Sequence, residues 1–173
     1  MNDDDDESYY GKYRATVLNN IDPMQMGRIQ VTVPDVSGVI PSSWAMPCVP
    51  VAGIQMGIYT VPPIGSSVWV EFEQGDPDYP IWVGCFWNTG AEVPSLARTV
   101  PPVLAGITLQ TTLMNGLTVN DMPGPTGGIM LKIATGASII VNDTGIYIQN
   151  GKGASIVMVG PSVTINNGAL AVI

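Results

Sequence analysis

Residues 42–87 read SSWAMPCVPVAGIQMGIYTVPPIGSSVWVEFEQGDPDYPIWVGCFW, and the punctuation of this stretch decides the fold of the first half. Apolar runs alternate with proline and glycine turns. Val68, Val70 and Phe72 alternate with Trp69 and Glu71, the two-residue pleat of a half-buried strand. Ile81 to Trp87 follows the turn residues Gln74-Gly75-Asp76-Pro77-Asp78. Trp44 to Val51 reads as an irregular strand, because Pro47 and Pro50 each remove a ladder donor and confine it to an edge or bulge.

Working upstream, Tyr13 to Leu18 leads into the turn Asn19-Asn20-Ile21-Asp22-Pro23. Arg28 to Val33 alternates Ile29, Val31 and Val33 against Arg28, Gln30 and Thr32 before Pro34-Asp35 breaks the run. No segment carries a 3.6-residue period. Five strands in about 75 residues predict a small Greek-key barrel of the OB type. Trp44, Trp69, Trp82 and Trp87 lie among aliphatic and acidic residues, so they read as OB core or as interface anchors. Arg28 and Asp35 have two readings, a solvated edge or a turn-fixing and partner-facing role. Cys48 and Cys85 sit in apolar runs and read as reduced, buried thiols, with a disulfide between neighbouring strands as the alternative.

Several segments resemble one family closely. DPMQMGRIQV (22–31), SSWAMPCVP (42–50), PPIGSSVWVEFEQGD (62–76) and PIWVGCFW (80–87) resemble the N-terminal OB-fold of contractile-tail spike proteins, namely phage baseplate assembly protein V and VgrG-type spikes. The resemblance covers residues 11–92. It implies a homotrimer on a trimeric baseplate hub and inner tube, often capped by a cone-shaped tip protein of the PAAR-repeat type.

After Trp87 the composition changes to a proline-rich connector and then to short strands cornered by Gly, Asn and Thr. Residues 136–151 (GASIIVNDTGIYIQNG) repeat at 153–168 (GASIVMVGPSVTINNG). A weaker copy starts at Leu117, is interrupted by MPGPT (122–126), and resumes at GGIMLKIATG (127–136). Repeats of short strands indicate stacking in which each unit cannot bury its apolar face alone. The residues after the connector are too few for many coils of a single-chain β-helix, so three chains are expected to wind into a triangular prism. Each chain would lay one strand on a face and turn the corner to the next. Ile129, Leu131, Ile133, Ile139, Val141, Ile146, Ile148, Ile156, Met158, Val163 and Ile165 would point to the axis. Seven or eight strands per chain, spaced about 4.8 Å apart, give a needle on the order of 40 Å long.

The expected fold is therefore all-β: an N-terminal OB-fold barrel followed by a short trimeric triple-stranded β-helix or β-prism needle. The expected organisation is an acidic tail (1–10), an OB-fold collar (11–92), a proline-rich linker (93–106) and a needle (107–173). The expected function is structural, a spike that caps the inner tube and pierces a target envelope. The rival reading is a carbohydrate-binding β-solenoid tailspike or adhesin, which needs exposed aromatics where only Tyr147 is available. The apolar C-terminal residues Ala169, Leu170, Ala171, Val172 and Ile173 form the expected docking platform for a tip protein. Assembly is expected in the cytoplasm, with contact to the target membrane only during contraction.

Composition excludes other classes. Charged residues are 12% and hydrophobic residues 46% of the chain, so much of its surface is expected to be covered by partners. Net charge is −8, and six basic residues form no patch for phosphates, against nucleic acid binding. Asp3 to Glu7 reads as a solvated tail or as a docking segment for a basic surface, and not as a secretory signal. Histidine is absent, which removes Ser/His/Asp triads, Cys/His pairs and a His-x-His iron tip. Glu71, Glu73, Asp76 and Asp78 lie on a strand and its turn, with Glu71 and Glu73 spaced to share a face, and are the carboxylates nearest to a glycosidase pair. Asp76, Asp78 and Asp143 are candidate cation ligands, but their spacing matches no calcium loop. No enzyme activity, cofactor or metal is expected.

Overall fold

The computed structural model describes residues 7–172, and the chain divides at Asn88/Thr89 into two units built of strands. The first unit contains β1 (Tyr13–Asn19), β2 (Gln30–Thr32), α1 (Pro34–Ser37), β3 (Met46–Pro47), β4 (Ala52–Gly53), β5 (Met56–Gly57), β6 (Ser67–Phe72) and β7 (Pro80–Phe86). The five-stranded sheet runs β2-β1-β6-β7-β3, with β3 parallel to β7 and the other pairs antiparallel. Ile29 and Ala45 close the circle by exchanging backbone hydrogen bonds of 3.2 and 2.8 Å. The result is the OB barrel, and it leaves few unpaired strand edges.

Alternation places the core. Ala15, Val17, Ile29, Val31, Val33, Ala45, Val68, Val70, Phe72 and Trp82 point inward and are buried. β3 is only two residues long because Pro47 and Pro50 interrupt the ladder. A bulge in β7 between the partners of Trp69 and Val70 lets Trp82 face inward while Gly84 opposes the outward Trp69.

Three expectations are corrected in this unit. Residues 8–10 are not a free tail: the Tyr9 N–H donates to Gly75 O at 2.8 Å, and the Tyr9 ring packs on Tyr13 and Phe72. Asp3 to Asp6 lie outside the described residues. Cys48 and Cys85 are exposed and free; Cys48 lies just past β3, which is only two residues long. Partial desolvation still raises the Cys85 thiol pKa. Glu73 does not continue the strand of Glu71, since the chain turns into a 3-10 turn at Glu73–Gly75.

The second unit contains β8 (Gly106–Gln110), β9 (Gly116–Asn120), β10 (Gly128–Lys132), β11 (Ala137–Asn142), β12 (Gly145–Asn150), β13 (Ser155–Val159), β14 (Ser162–Ile165) and β15 (Leu170–Val172). They form one eight-stranded antiparallel sheet in sequence order. The 17-residue repeat is a pair of hairpins, β11–β12 and β13–β14. This corrects the expected strand-by-strand passage between faces. Only two residues connect β11 to β12 and β13 to β14, and so short a link closes a hairpin in one sheet. Each chain therefore keeps all eight strands in one sheet of its own.

Asparagines close the turns between these strands. Asn142 Oδ1 accepts the N–H groups of Thr144 (2.9 Å) and Gly145 (3.2 Å). Asn150 Oδ1 accepts those of Lys152 (2.8 Å) and Ala154 (3.0 Å), and Asn120 Oδ1 that of Met122 (3.0 Å). Each side chain stands in for a missing backbone acceptor, the property that favours Asn in tight turns.

Candidate functional site

In an antiparallel sheet, residues directly opposite each other project from the same face. Register therefore converts the alternation of each strand into continuous ladders. One ladder runs Ile107, Val119, Ile129, Val141, Ile146, Met158, Val163; its last backbone partner is Val172. The second runs Leu109, Leu117, Leu131, Ile139, Ile148, Ile156, Ile165, Leu170. Every position is aliphatic or methionine, and all eight strands contribute.

The structure places ten of the eleven expected axis residues in these two ladders. Ile133 stands just beyond β10, where its N–H bonds to Ala137 O at the turn. Sequence reasoning missed Ile107, Leu109, Leu117, Val119 and the ladder position of Leu170. The signal was present, since GITLQ and GLTVN carry the same alternation. The MPGPT insertion and the divergence of that first copy obscured it.

Exposure identifies the face that needs a partner. Ile107 is 65% exposed, Leu131 51% and Ile139 44%. Among the described residues the second unit has a single buried apolar side chain, Leu96. Leu96 lies in the connector, and its Cδ1 stands 2.6 Å from where a Cβ on Gly116 would be. The Leu96 N–H donates to Gln110 Oε1 at 3.0 Å. Gly116, Gln110 and the buried Thr118 project from the face opposite the ladders. The connector thus covers the far face at β8 and β9, while nothing among the described residues of the unit covers the ladders. Asp121, Lys132, Asp143 and Lys152 are the charged residues from 106 onward, and none is a ladder position.

The expected tip residues form the end of the same sheet. Ala169 follows a 3-10 turn at Asn166–Gly168, and Leu170, 56% exposed, starts the edge strand β15. Ile173 lies outside the described residues.

In the barrel, the four tryptophans separate. Trp82 is core, and its indole N–H donates to Gly27 O at 3.1 Å. Trp69 projects outward, with its ring 4.7 Å from that of Phe86 and the Arg14 guanidinium over both. Trp44 is half-buried, with the Arg28 guanidinium 5.5 Å from its ring centre. Trp87 is 60% exposed.

Arg28 is not on a solvated edge. Asp22 Oδ1 accepts its Nε (3.1 Å) and Nη2 (2.7 Å), and Oδ1 also takes the Met24 N–H. Asp22 Oδ2 accepts the Met26 N–H at 2.8 Å and the Arg28 N–H at 3.2 Å. The hydrogen bonds from Arg28 first, and those from the backbone second, hold the Asp22 carboxyl well below the usual range. This pairing explains the DPMQMGR stretch: one carboxylate and one indole pin a whole loop. Asp35 is exposed in the first turn of the short α1.

Glu71, Asp76 and Asp143 have structural partners. Glu71 pairs with Lys12 across the outer face of the barrel. Asp76 Oδ1 accepts the Asp78 N–H at 2.9 Å. Asp143 belongs to the other unit, where its Oδ2 accepts the Gly124 N–H at 3.0 Å and anchors the 122–127 loop. The expected cation trio is thereby divided between two units.

Residues 13–87 match the model of the type VI secretion system/phage-baseplate injector OB domain, and residues 106–171 match that of the phage baseplate V C-terminal trimerisation domain. No curated protein matches the chain.

Proposed function

This chain belongs to the phage baseplate V family of baseplate spike proteins, and we propose that three copies meet through their aliphatic ladders to make the needle of a contractile injection apparatus. Its role is structural. The carrying observation is a sheet with two full apolar ladders on a face that the chain leaves bare. Three such faces turned toward one axis bury the ladders, at roughly 1.5–3 kcal/mol per side chain. Monomeric chains seldom leave so large an apolar face open.

On this reading the barrel is the collar that meets the trimeric hub and caps the inner tube. The needle concentrates the force of sheath contraction on a small area of envelope. Its backbone groups are paired along the sheet, and its ladders are uncharged, which suits brief passage through a bilayer. The spike acts without catalysis, assembles in the cytoplasm, and carries a PAAR-type tip protein at Ala169 to Ile173. Tyr147, the aromatic that a carbohydrate-binding needle would present, is half-buried and its hydroxyl bonds with Thr144 at 2.8 Å.

Light scattering of the pure chain tests the core of this reading: three times the chain mass is expected, and a stable monomer overturns it. Leakage of dye-loaded vesicles on contraction of particles with intact and ladder-disrupted spikes tests piercing. A purified tip protein titrated onto trimers with and without residues 169–173 tests docking, and equal binding by both removes that site.

A further inference from the structure

The barrel carries an apolar projection that its core does not use. No charged residue occurs between Asp35 and Glu71. Within that stretch β4 and β5 form a hairpin whose tip is Ile54-Gln55, and Ile54 is 98% exposed. The hairpin is a formed element. The Ile58 N–H donates to Val51 O at 3.1 Å, Gln55 takes φ 55° at the tip, and a Cβ on Gly57 would stand 2.8 Å from Val51 O. Between one flank of this hairpin (Ala52, Gln55, Met56) and the barrel residues Met26 and Met46 lies a groove of about 470 Å³, with Tyr59 also in its lining and Ile54 outside it. The Asp22–Arg28 pair and the Trp82 indole fix the loop that contributes Met26.

We propose that Ile54 of each barrel seats in the methionine-lined groove of the next copy, so that the three barrels close into a ring. The inference rests on the trimer proposed above. Matched trimerisation sequence in the second unit brings three barrels onto one assembly through connectors of residues 89–105. Tethers of that kind hold neighbours at an effective concentration on the order of millimolar, enough for a small apolar contact to form. The Ile54 tip and the groove on the hairpin's flank are different surfaces of one molecule. Their contact is heterologous, and under threefold rotation such contacts close a ring without leftover surface. A neutral groove offers nothing to steer a charged partner, and methionine adapts to an aliphatic side chain.

The test uses the full-length chain with Ile54→p-benzoylphenylalanine, irradiated and then denatured. Covalent dimers and trimers are expected, with the adducts on Met26, Met46 or Tyr59 of another chain. Adducts confined to the same chain in a preparation that light scattering shows to be trimeric overturn the contact and leave the trimer standing. Adducts to a different protein in whole particles also overturn it, in favour of the hub. A monomeric chain removes both inferences together. As a second measurement, Ile54→Asp is expected to keep the trimer mass but lower the barrel's thermal transition. A side chain this exposed matters to an isolated barrel very little, so an unchanged transition counts against the ring.

Discussion

Ile139 of β11 and Ile148 of β12 are direct register partners on the uncovered face of the second unit. In the trimer proposed above they belong to a core that no single chain contains. Ile148→Ala is expected to cost about 2–5 kcal/mol per chain as a large-to-small core change. Ile148→Asp is expected to abolish the trimer, since three unpaired carboxylates would gather at the axis. Denaturant unfolding and light scattering check both. A fully trimeric Ile148→Asp protein rules out the ladder face as the interface.

Leu96 anchors the connector on the opposite face. Leu96→Ala is expected to cost about 2–5 kcal/mol locally. Hydrogen exchange should quicken in β8 and β9, where the connector lies, and stay unchanged in β11 to β14. Uniformly faster exchange across the sheet contradicts a local role.

Asp22 links the barrel to pH. Its folded pKa is depressed, so its contribution is fully present above the unfolded carboxylate value of about 4 and is lost as pH falls toward the folded value. Asp22→Asn is expected to lower the melting temperature of the barrel at pH 7. The gap between wild type and variant should shrink as pH drops below about 4. A gap that is constant with pH assigns the effect to packing alone.

Gly128 opens β10 with φ 79°, and a Cβ there would stand 2.1 Å from Val141 O. Gly128→Ala is expected to disrupt the β10–β11 register, because backbone on the facing strand cannot yield as a side chain can. Circular dichroism and trimer yield measure it; a wild-type yield contradicts the close approach.

Trp82 is core and loop clamp at once. Trp82→Phe keeps most of the ring but leaves Gly27 O without its donor. A loss of about 1–3 kcal/mol is expected. The paired Arg28→Lys variant should loosen the same loop, because an ammonium cannot copy the fork that grips Asp22 Oδ1. Proteolysis of residues 22–28 reports both.

Alternation by itself determined the inward sets of β2 and β6 and most of the ladder residues, because a strand's two faces are written in its odd and even positions. The 17-residue repeat determined that short strands would stack in successive units. Tertiary structure decided what alternation does not encode. Which strand pairs with which depends on turn length, and two-residue links kept each chain in its own sheet. Which side of that sheet stays open depends on Leu96 folding back over Gly116, a contact between residues twenty apart. Asp22 and Arg28 look like unrelated loop residues until the loop brings the carboxylate to three backbone N–H groups and a guanidinium. Such pairings depend on how the intervening backbone folds in space, and no local period records that.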